Sequence, residues 1–105
     1  MKTERLNNPS EVKSLKRNRL IFHFINREEF EILWKDIFKN EAYKTNLKTP
    51  KPLIFDVGAH IGLSTLYFKD RYPQAKILAF EPNPKTAKIL KLNIKDNHLE
   101  NIKVI

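Results

Sequence analysis

The alternation of short apolar runs with helical patterns over residues 53–105 constrains the fold more than any other feature of the sequence. The run Leu53–Val57 ends at Gly58, where a turn leads into a helical pattern, and two further apolar runs follow at similar spacing. Strands separated by helices of this length pair in parallel through right-handed crossovers. The sequence therefore predicts an α/β fold, a β-α-β-α-β unit with parallel strands at about residues 53–57, 76–80 and 102–105.

Both helices of this unit have recognisable ends. The first is predicted over Leu63–Tyr72, because Pro73 cannot continue a helix. The second is predicted over Lys85–Asn97, with Asn83 as its cap and Pro84 in the favoured first position.

A third helix is predicted over Asn26–Lys39 in the N-terminal half. Asn26 is a capping residue with Glu29 three positions later, an arrangement that satisfies free amides at a helix start. Apolar residues then recur on one helical face, which is typical of core packing, here against the sheet unit. The members of this aromatic stripe are Phe30, Leu33, Trp34, Ile37 and Phe38.

The rest of the N-terminal half is less regular. Residues 1–9 have no periodicity and are predicted to be a loose end, after which Ser10 caps a short basic helix up to about Arg17. The run Leu20–Ile25 is either a strand or a buried connector. Two prolines in Thr49–Pro52 favour an extended linker. The chain is therefore predicted to divide into a mainly helical N-terminal extension with its linker, residues 1–52, and the β-α-β-α-β unit, residues 53–105.

Composition excludes several classes of protein. The chain has no cysteine, which excludes a disulfide framework and a thiolate metal site, and neither His23 nor His98 has a second ligand at metal-site spacing. No apolar run approaches the ~20 residues of a membrane helix and no secretory signal is visible, so a cytoplasmic location is expected. The formal net charge is +8, but most lysines stand singly between acids, which favours a solvated surface over a nucleic-acid or lipid interface.

Residues suited to ligand binding gather at the predicted carboxyl ends of the first two strands. Gly58 and Gly62 tolerate positive φ and let a ligand approach the backbone, and the following helix offers free amides. Glu81 follows the second strand, where acids accept hydrogen bonds from ribose hydroxyls in nucleotide-binding folds. Asp56 is costly to bury without partners, and either a ligand group or free helix amides would satisfy it. Each feature alone is also compatible with an ordinary turn, but their combination predicts a cofactor crevice.

Three stretches of the sequence together resemble one family. They read Phe-Asp-Val-Gly-Ala-His-Ile-Gly-Leu-Ser-Thr at residues 55–65, Ala-Phe-Glu-Pro-Asn-Pro at 79–84 and Leu-Asn-Ile at 92–94. They resemble the FkbM-type S-adenosylmethionine-dependent methyltransferases over about half of the chain, residues 53–105. The resemblance implies a partial Rossmann-like fold of the class I methyltransferases and S-adenosylmethionine as cofactor.

The resemblance also implies which residues bind the cofactor. The positions of Asp56 and Gly58 cradle the methionine end in that family, Glu81 would hold the ribose and Pro82 would lie near the adenosine. His60 stands where the family usually has asparagine, so a side-chain contact is not carried over there, although the backbone loop is. The implied cofactor-binding residues are Asp56, Gly58, Ala59, His60, Gly62, Glu81 and Pro82.

A fold that binds nicotinamide dinucleotides is the nearest competitor. Gly58 and Gly62 are separated by three residues, so the G-x-G-x-x-G spacing of that fold is absent. S-adenosylmethionine carries no pyrophosphate and does not require a complete phosphate cradle. The methyl-donor interpretation is therefore favoured.

The implied activity is O-methylation of a small molecule or sugar, whose identity the sequence does not give. Only three strands are present, so we expect an N-terminal fragment that is inactive alone, and no catalytic base can be named. The alternative is a non-catalytic adenosyl-binding or basic interaction module that keeps the loop. One edge of Leu53–Val57 is expected to lack a partner strand, and the N-terminal segment with Leu20–Ile25 is a candidate to cover it.

Overall fold

The computed structural model of the protein describes residues 11–105, so the predicted loose end and the predicted cap Ser10 lie outside the described residues. In chain order the elements are β1 (Lys13–Arg17), β2 (Leu20–Phe24), α1 (Arg27–Trp34), a π-helical turn (Lys35–Lys39), β3 (Leu53–Val57), α2 (Leu63–Arg71), β4 (Lys76–Phe80), α3 (Pro84–Asp96) and β5 (Ile102–Val104). None of the helices in this part of the chain has both the length and the apolar character that crossing a membrane requires.

The second half of the chain forms the predicted parallel sheet. Its strands lie in the order β3-β4-β5, and both neighbouring pairs are parallel. Asp56 in β3 is opposite Ala79 in β4, and Val57 is opposite Phe80, so the two strands end at the same edge. The predicted β-α-β-α-β unit is confirmed, and its strand bounds differ from the prediction only at the end of β5.

The sheet has one covered face and one bare face. Ile77 and Ala79 are fully buried and pack with Leu90 of α3. Two successive right-handed crossovers in the same direction place α2 and α3 on the same side of the sheet. On the opposite face, three apolar side chains of β3 are each at least 60% exposed: Leu53, Phe55 and Val57.

The first element of the described residues is a β-hairpin, so the short basic helix predicted up to Arg17 is wrong. Lys13–Arg17 is strand β1, which pairs antiparallel with β2. Between the strands, Asn18 and Arg19 both have positive φ (53° and 69°). Two central residues with positive φ make a turn whose twist matches a hairpin, and this turn overrides the helical pattern. The N-terminal segment is mixed rather than mainly helical, and the strand alternative for residues 20–24 is confirmed.

The helix predicted over Asn26–Lys39 is confirmed, although its last five residues are π-helical. The Asn26 side chain caps α1 by accepting a hydrogen bond from the Glu29 amide at 2.8 Å. Phe30 and Ile37 are buried, and the other members of the aromatic stripe are partly buried.

The aromatic stripe packs against helices and the hairpin rather than against the sheet strands themselves. Phe30 stacks on Phe24 of β2 with ring centroids 4.6 Å apart, and Phe38 meets Tyr67 of α2 edge-on at 5.6 Å. Leu66 of α2 completes the same buried cluster. The hairpin, α1 and α2 therefore share one apolar core. The division of the chain into two parts at residue 52 stays a prediction.

Two asparagines of α3 fasten the hairpin to the sheet unit. The Asn97 side chain accepts from the Ile21 amide (2.8 Å) and donates to the Ile21 carbonyl (2.7 Å). The Asn93 side chain makes the same pair of bonds with His23, at 2.6 and 3.1 Å. Helix α3 thus satisfies the outer edge of β2 in place of a third strand. Within residues 11–105, no strand pairs with the outer edge of β3. The expectation that Leu20–Ile25 covers this edge is wrong, because β2 pairs with β1.

One ion pair ties β1 to α1. The Arg17 guanidinium donates to both carboxylate oxygens of Glu31 (2.8 and 3.0 Å) and lies over the Trp34 ring at 4.6 Å. Arg27 donates a further bond to Glu31 (2.8 Å). The hydrogen bonds from Arg17 and then Arg27 lower the pKa of Glu31 to about 2.

We expect Glu31→Gln to lower the free energy of unfolding in a pH-dependent way. A carboxyl whose pKa is lower in the folded state stabilises the fold above its unfolded pKa of about 4.5, and this contribution is lost as the pH falls towards about 2. Urea unfolding at pH 7 and at pH 2.5 should give a clear loss at pH 7 and a much smaller one at pH 2.5. Glu28→Gln, an exposed acid of the same helix, is the control, and an equal loss for both variants at pH 7 would contradict the role of the ion pair.

Candidate functional site

The loop between β3 and α2 is held against the end of β4. The backbone amides of Gly58 and Ala59 both donate to the Phe80 carbonyl, at 2.9 and 3.0 Å. Val57, the last residue of β3, is paired with Phe80, the last residue of β4. The loop after β3 therefore begins beside Glu81, the residue after β4. The sequence-predicted residues of the two motifs therefore meet at one edge of the sheet.

The two loop glycines are required for different reasons. Gly62 has φ of 105°, and a Cβ at this position would lie 2.7 Å from Cδ1 of the fully buried Leu90, so the glycine lets α3 pack against the loop. Gly58 has φ of 73°, and a Cβ there would meet no atom within 4 Å. The space beside Gly58 is therefore open to a ligand, as predicted for a close approach to the backbone.

Asp56 lies at the end of β3 and is buried, with 8% of its surface exposed. The hydroxyls of Ser64 and Thr65 both donate to its Oδ2, each at 2.7 Å. These hydroxyls, rather than the free helix amides considered from the sequence, are the partners that offset the cost of burying the carboxylate. Within residues 11–105, Oδ1 accepts no hydrogen bond and has lone pairs left for another donor.

The Glu81 side chain connects the loop after β3 with the turn after β4, at the carboxyl edge of the sheet. Its Oε1 accepts a hydrogen bond from the His60 amide (2.8 Å), and its Oε2 accepts one from the Asn83 amide (3.2 Å). The side chain is half-buried, and a carboxylate has about four acceptor positions, so it can accept further hydrogen bonds. Glu81 is thus a loop-holding residue as well as a candidate ligand contact.

His60 adopts a left-handed backbone conformation, with φ of 57°. Asparagine and histidine are among the few residues other than glycine that favour this region, which explains why the exchange of one for the other preserves the loop. The ring nitrogen Nδ1 is buried without a hydrogen-bond partner among the described residues, and Nε2 lies 3.9 Å from a carboxylate oxygen of Glu29.

The remaining predicted residues line the same edge. Ala59, within the loop, is buried. Pro82 is exposed at the start of the turn between β4 and α3. The next residue, Asn83, caps α3 by accepting from the amides of Lys85 (2.9 Å) and Thr86 (3.3 Å). The predicted cap is confirmed.

Sequence reasoning noted Asn93 only as part of a family motif and gave it no role. The structure shows that its fully buried side chain donates to the Ile61 carbonyl at 2.7 Å, in addition to its bonds to His23. A polar residue at an otherwise apolar position of α3 is the signal that could have identified it, because a buried amide needs partners.

The different roles of the two glycines lead to a prediction for stability. Gly62→Ala should lower the free energy of unfolding by about 2–4 kcal/mol, because left-handed strain adds to overpacking against Leu90. Gly58→Ala should lower it by only about 1–2 kcal/mol, because it carries the strain without a clash. Urea denaturation of both variants is the measurement, and equal losses would mean that Gly62 does not lie against Leu90.

Comparison with known proteins places this loop among methyltransferases. No family model matches the chain. A 77-residue stretch, 73% of the chain, is 43% identical to methyltransferase sdnD of Sordaria araneosa and covers 30% of that protein. A 71-residue stretch, 66% of the chain, is 32% identical to the 31-O-demethyl-FK506 methyltransferase FkbM of Streptomyces tacrolimicus and covers 27% of it. The chain thus spans less than a third of the length of these relatives.

Solved structures agree with the fold. The crystal structure of M. jannaschii TYW2 in complex with AdoMet matches 90% of this chain and 42% of that one, with a TM-score of 0.66 and 23% identity. A SAM-dependent methyltransferase from Agrobacterium tumefaciens matches 90% of this chain and 32% of its own length, with a TM-score of 0.59 and 17% identity. The sheet unit therefore has the Rossmann-like fold of the class I methyltransferases. The resemblance of this chain to methyltransferases, FkbM among them, is confirmed.

Proposed function

We propose that residues 53–105 are the donor-binding half of an S-adenosylmethionine-dependent methyltransferase, which transfers a methyl group to a hydroxyl oxygen of a small molecule or sugar. The observation that carries this proposal is the open space beside Gly58 at an edge that also holds the carboxylates of Asp56 and Glu81. The 43% identity to a methyltransferase supports it. Because the chain spans less than a third of such relatives, the activity and the acceptor of the whole protein are part of the proposal.

The charge beside the glycine loop fits a donor of net positive charge better than a dinucleotide. S-adenosylmethionine carries a positive sulfonium, a positive ammonium group and one carboxylate, and the buried carboxylate of Asp56 complements the positive groups. A pyrophosphate at the loop would be repelled by Asp56. No lysine or arginine lies in the loop 58–62 to offset that repulsion.

Each residue has a role that follows from its geometry. The open Oδ1 of Asp56 and the free amides at the start of α2 would hold the amino-acid end of the donor, and the missing Cβ of Gly58 lets that end approach. Glu81 would accept hydrogen bonds from the ribose hydroxyls, and the exposed Pro82 would lie along the adenosine. Ala59, His60 and Gly62 would contribute backbone contacts from the loop. The bound donor would supply an activated methyl group on its sulfonium sulfur.

The transfer step needs an acceptor held in line with that methyl group and a base for its hydroxyl proton. Among residues 11–105, His60 is the one titratable side chain with an unpartnered buried nitrogen beside the loop. The left-handed backbone conformation of His60, however, is sufficient to explain why a histidine is found there, so we assign it no catalytic role. A non-catalytic adenosyl-binding module is the second candidate, because no side chain among residues 11–105 is assigned as the catalytic base.

Calorimetric titration of the purified chain with S-adenosylmethionine tests the proposal. We expect weak binding, with a Kd of ~10 µM or weaker, because a half-sheet leaves much of the ligand in water. Turnover with hydroxyl acceptors should be absent. Glu81→Ala and Gly58→Val should abolish the binding heat, whereas Glu100→Ala, an exposed acid in the turn before β5, should leave it unchanged.

Two outcomes would contradict the proposal. Binding that is indifferent to Glu81→Ala and Gly58→Val would place the site elsewhere. Absence of binding even at millimolar donor, in a chain whose thermal unfolding remains cooperative, would mean that the edge does not recognise the donor by itself.

A further inference from the structure

A second concave surface is lined by none of the residues assigned to the donor site. It is a groove of about 470 Å³ between the base of the hairpin and the outer face of α3. Four apolar residues line it, and we call them its floor: Val12, Ile25, Ile89 and Leu92. This volume lies in the ~300–1,000 Å³ range of small-ligand sites.

Four lysines of α3 border this groove. Lys85, Lys88, Lys91 and Lys95 are all exposed and follow each other at intervals of three or four residues, so they lie along one side of the helix. Within residues 11–105, none of them takes part in an ion pair, and the one acid of α3, Asp96, is engaged with His23 at 2.7 Å. The groove therefore combines an apolar floor with a positive rim that has no ion-pair partner in the described part of the chain.

We propose that this groove, which we call the lysine groove, binds a single-chain anionic amphiphile, a molecule with one acyl or alkyl chain and a carboxylate or phosphate head. The chain would lie on Ile89 and Leu92, and the head would meet the ammonium groups of Lys88 and Lys91. Lysine stems lie along apolar surface while their charged ends remain in water, so the rim can follow such a head group. This proposal is independent of the donor site.

The shape of the lysine groove favours a small amphiphile over a membrane surface. A helix that lies in a membrane interface presents its apolar residues outward. In α3, by contrast, Ile89 is only 5% exposed, and Leu92 is half-buried. A flat bilayer would reach the lysines without reaching the floor. The apolar floor and the lysines are both contacted only if one alkyl chain enters the groove.

Titration of the full chain with dodecyl phosphate, below its micelle concentration, is the test. The double variant Lys88→Glu/Lys91→Glu should weaken binding at least about tenfold through lost and reversed charge. The matched control, Lys76→Glu/Lys103→Glu, has the same net charge but changes lysines of the bare sheet face, and should alter the Kd less than about twofold. Decyl phosphate should bind about tenfold more weakly than dodecyl phosphate, because two methylenes are lost from the floor.

Other outcomes would overturn the proposal. Equal weakening by the two double variants would mean that the amphiphile binds through net charge or on the bare sheet face. Uncharged dodecyl maltoside binding as tightly as dodecyl phosphate would remove the role of the lysines. Binding to vesicles that contain acidic phospholipid, without binding to monomeric dodecyl phosphate, would assign the lysine groove to a membrane.

Discussion

The buried side-chain amide of Asn93 is the interaction on which the arrangement of the molecule depends most. Asn93 is fully buried, and its amide binds the backbone of His23 in the hairpin and of Ile61 in the glycine loop. An unpaired polar group at such a position would cost about 1–3 kcal/mol, so its partners must be held in place. One helix residue thereby fixes the positions of three elements: α3, the hairpin and the loop.

The shape of the candidate site depends on the hydrogen bonds of Asn93 and on two further sets of hydrogen bonds. The loop is tied to Phe80 by the amides of Gly58 and Ala59, and to Glu81 by the amide of His60. None of these bonds involves a ligand. A loop that is ordered by the protein itself loses less conformational entropy when a ligand binds, which is how preorganised sites gain affinity. The proposed donor site is therefore preorganised where the loop is tied to Phe80 and Glu81.

The sequence contained enough information to predict the parallel unit, because apolar runs, prolines and capping residues mark each of its elements locally. The same local reasoning identified Asn26 and Asn83 as caps. It failed at Lys13–Arg17, where a turn with two residues of positive φ produces a hairpin that periodicity does not signal. It also missed Asn93, since its partners lie 32 and 70 residues away in the chain, and no local pattern specifies them.

Hydrogen exchange measured by NMR on Asn93→Ala, with Asn97→Ala as its matched control, tests most directly whether one amide couples the hairpin to the loop. Among residues 11–105, the Asn97 side chain binds only the hairpin and its own helix, through Ile21 and the carbonyl of Asn93. We expect Asn97→Ala to speed exchange of the Ile21 amide alone. Asn93→Ala should speed exchange at both His23 and His60. Unchanged exchange at His60 in Asn93→Ala would contradict the coupling and leave the loop dependent on Phe80 and Glu81 only.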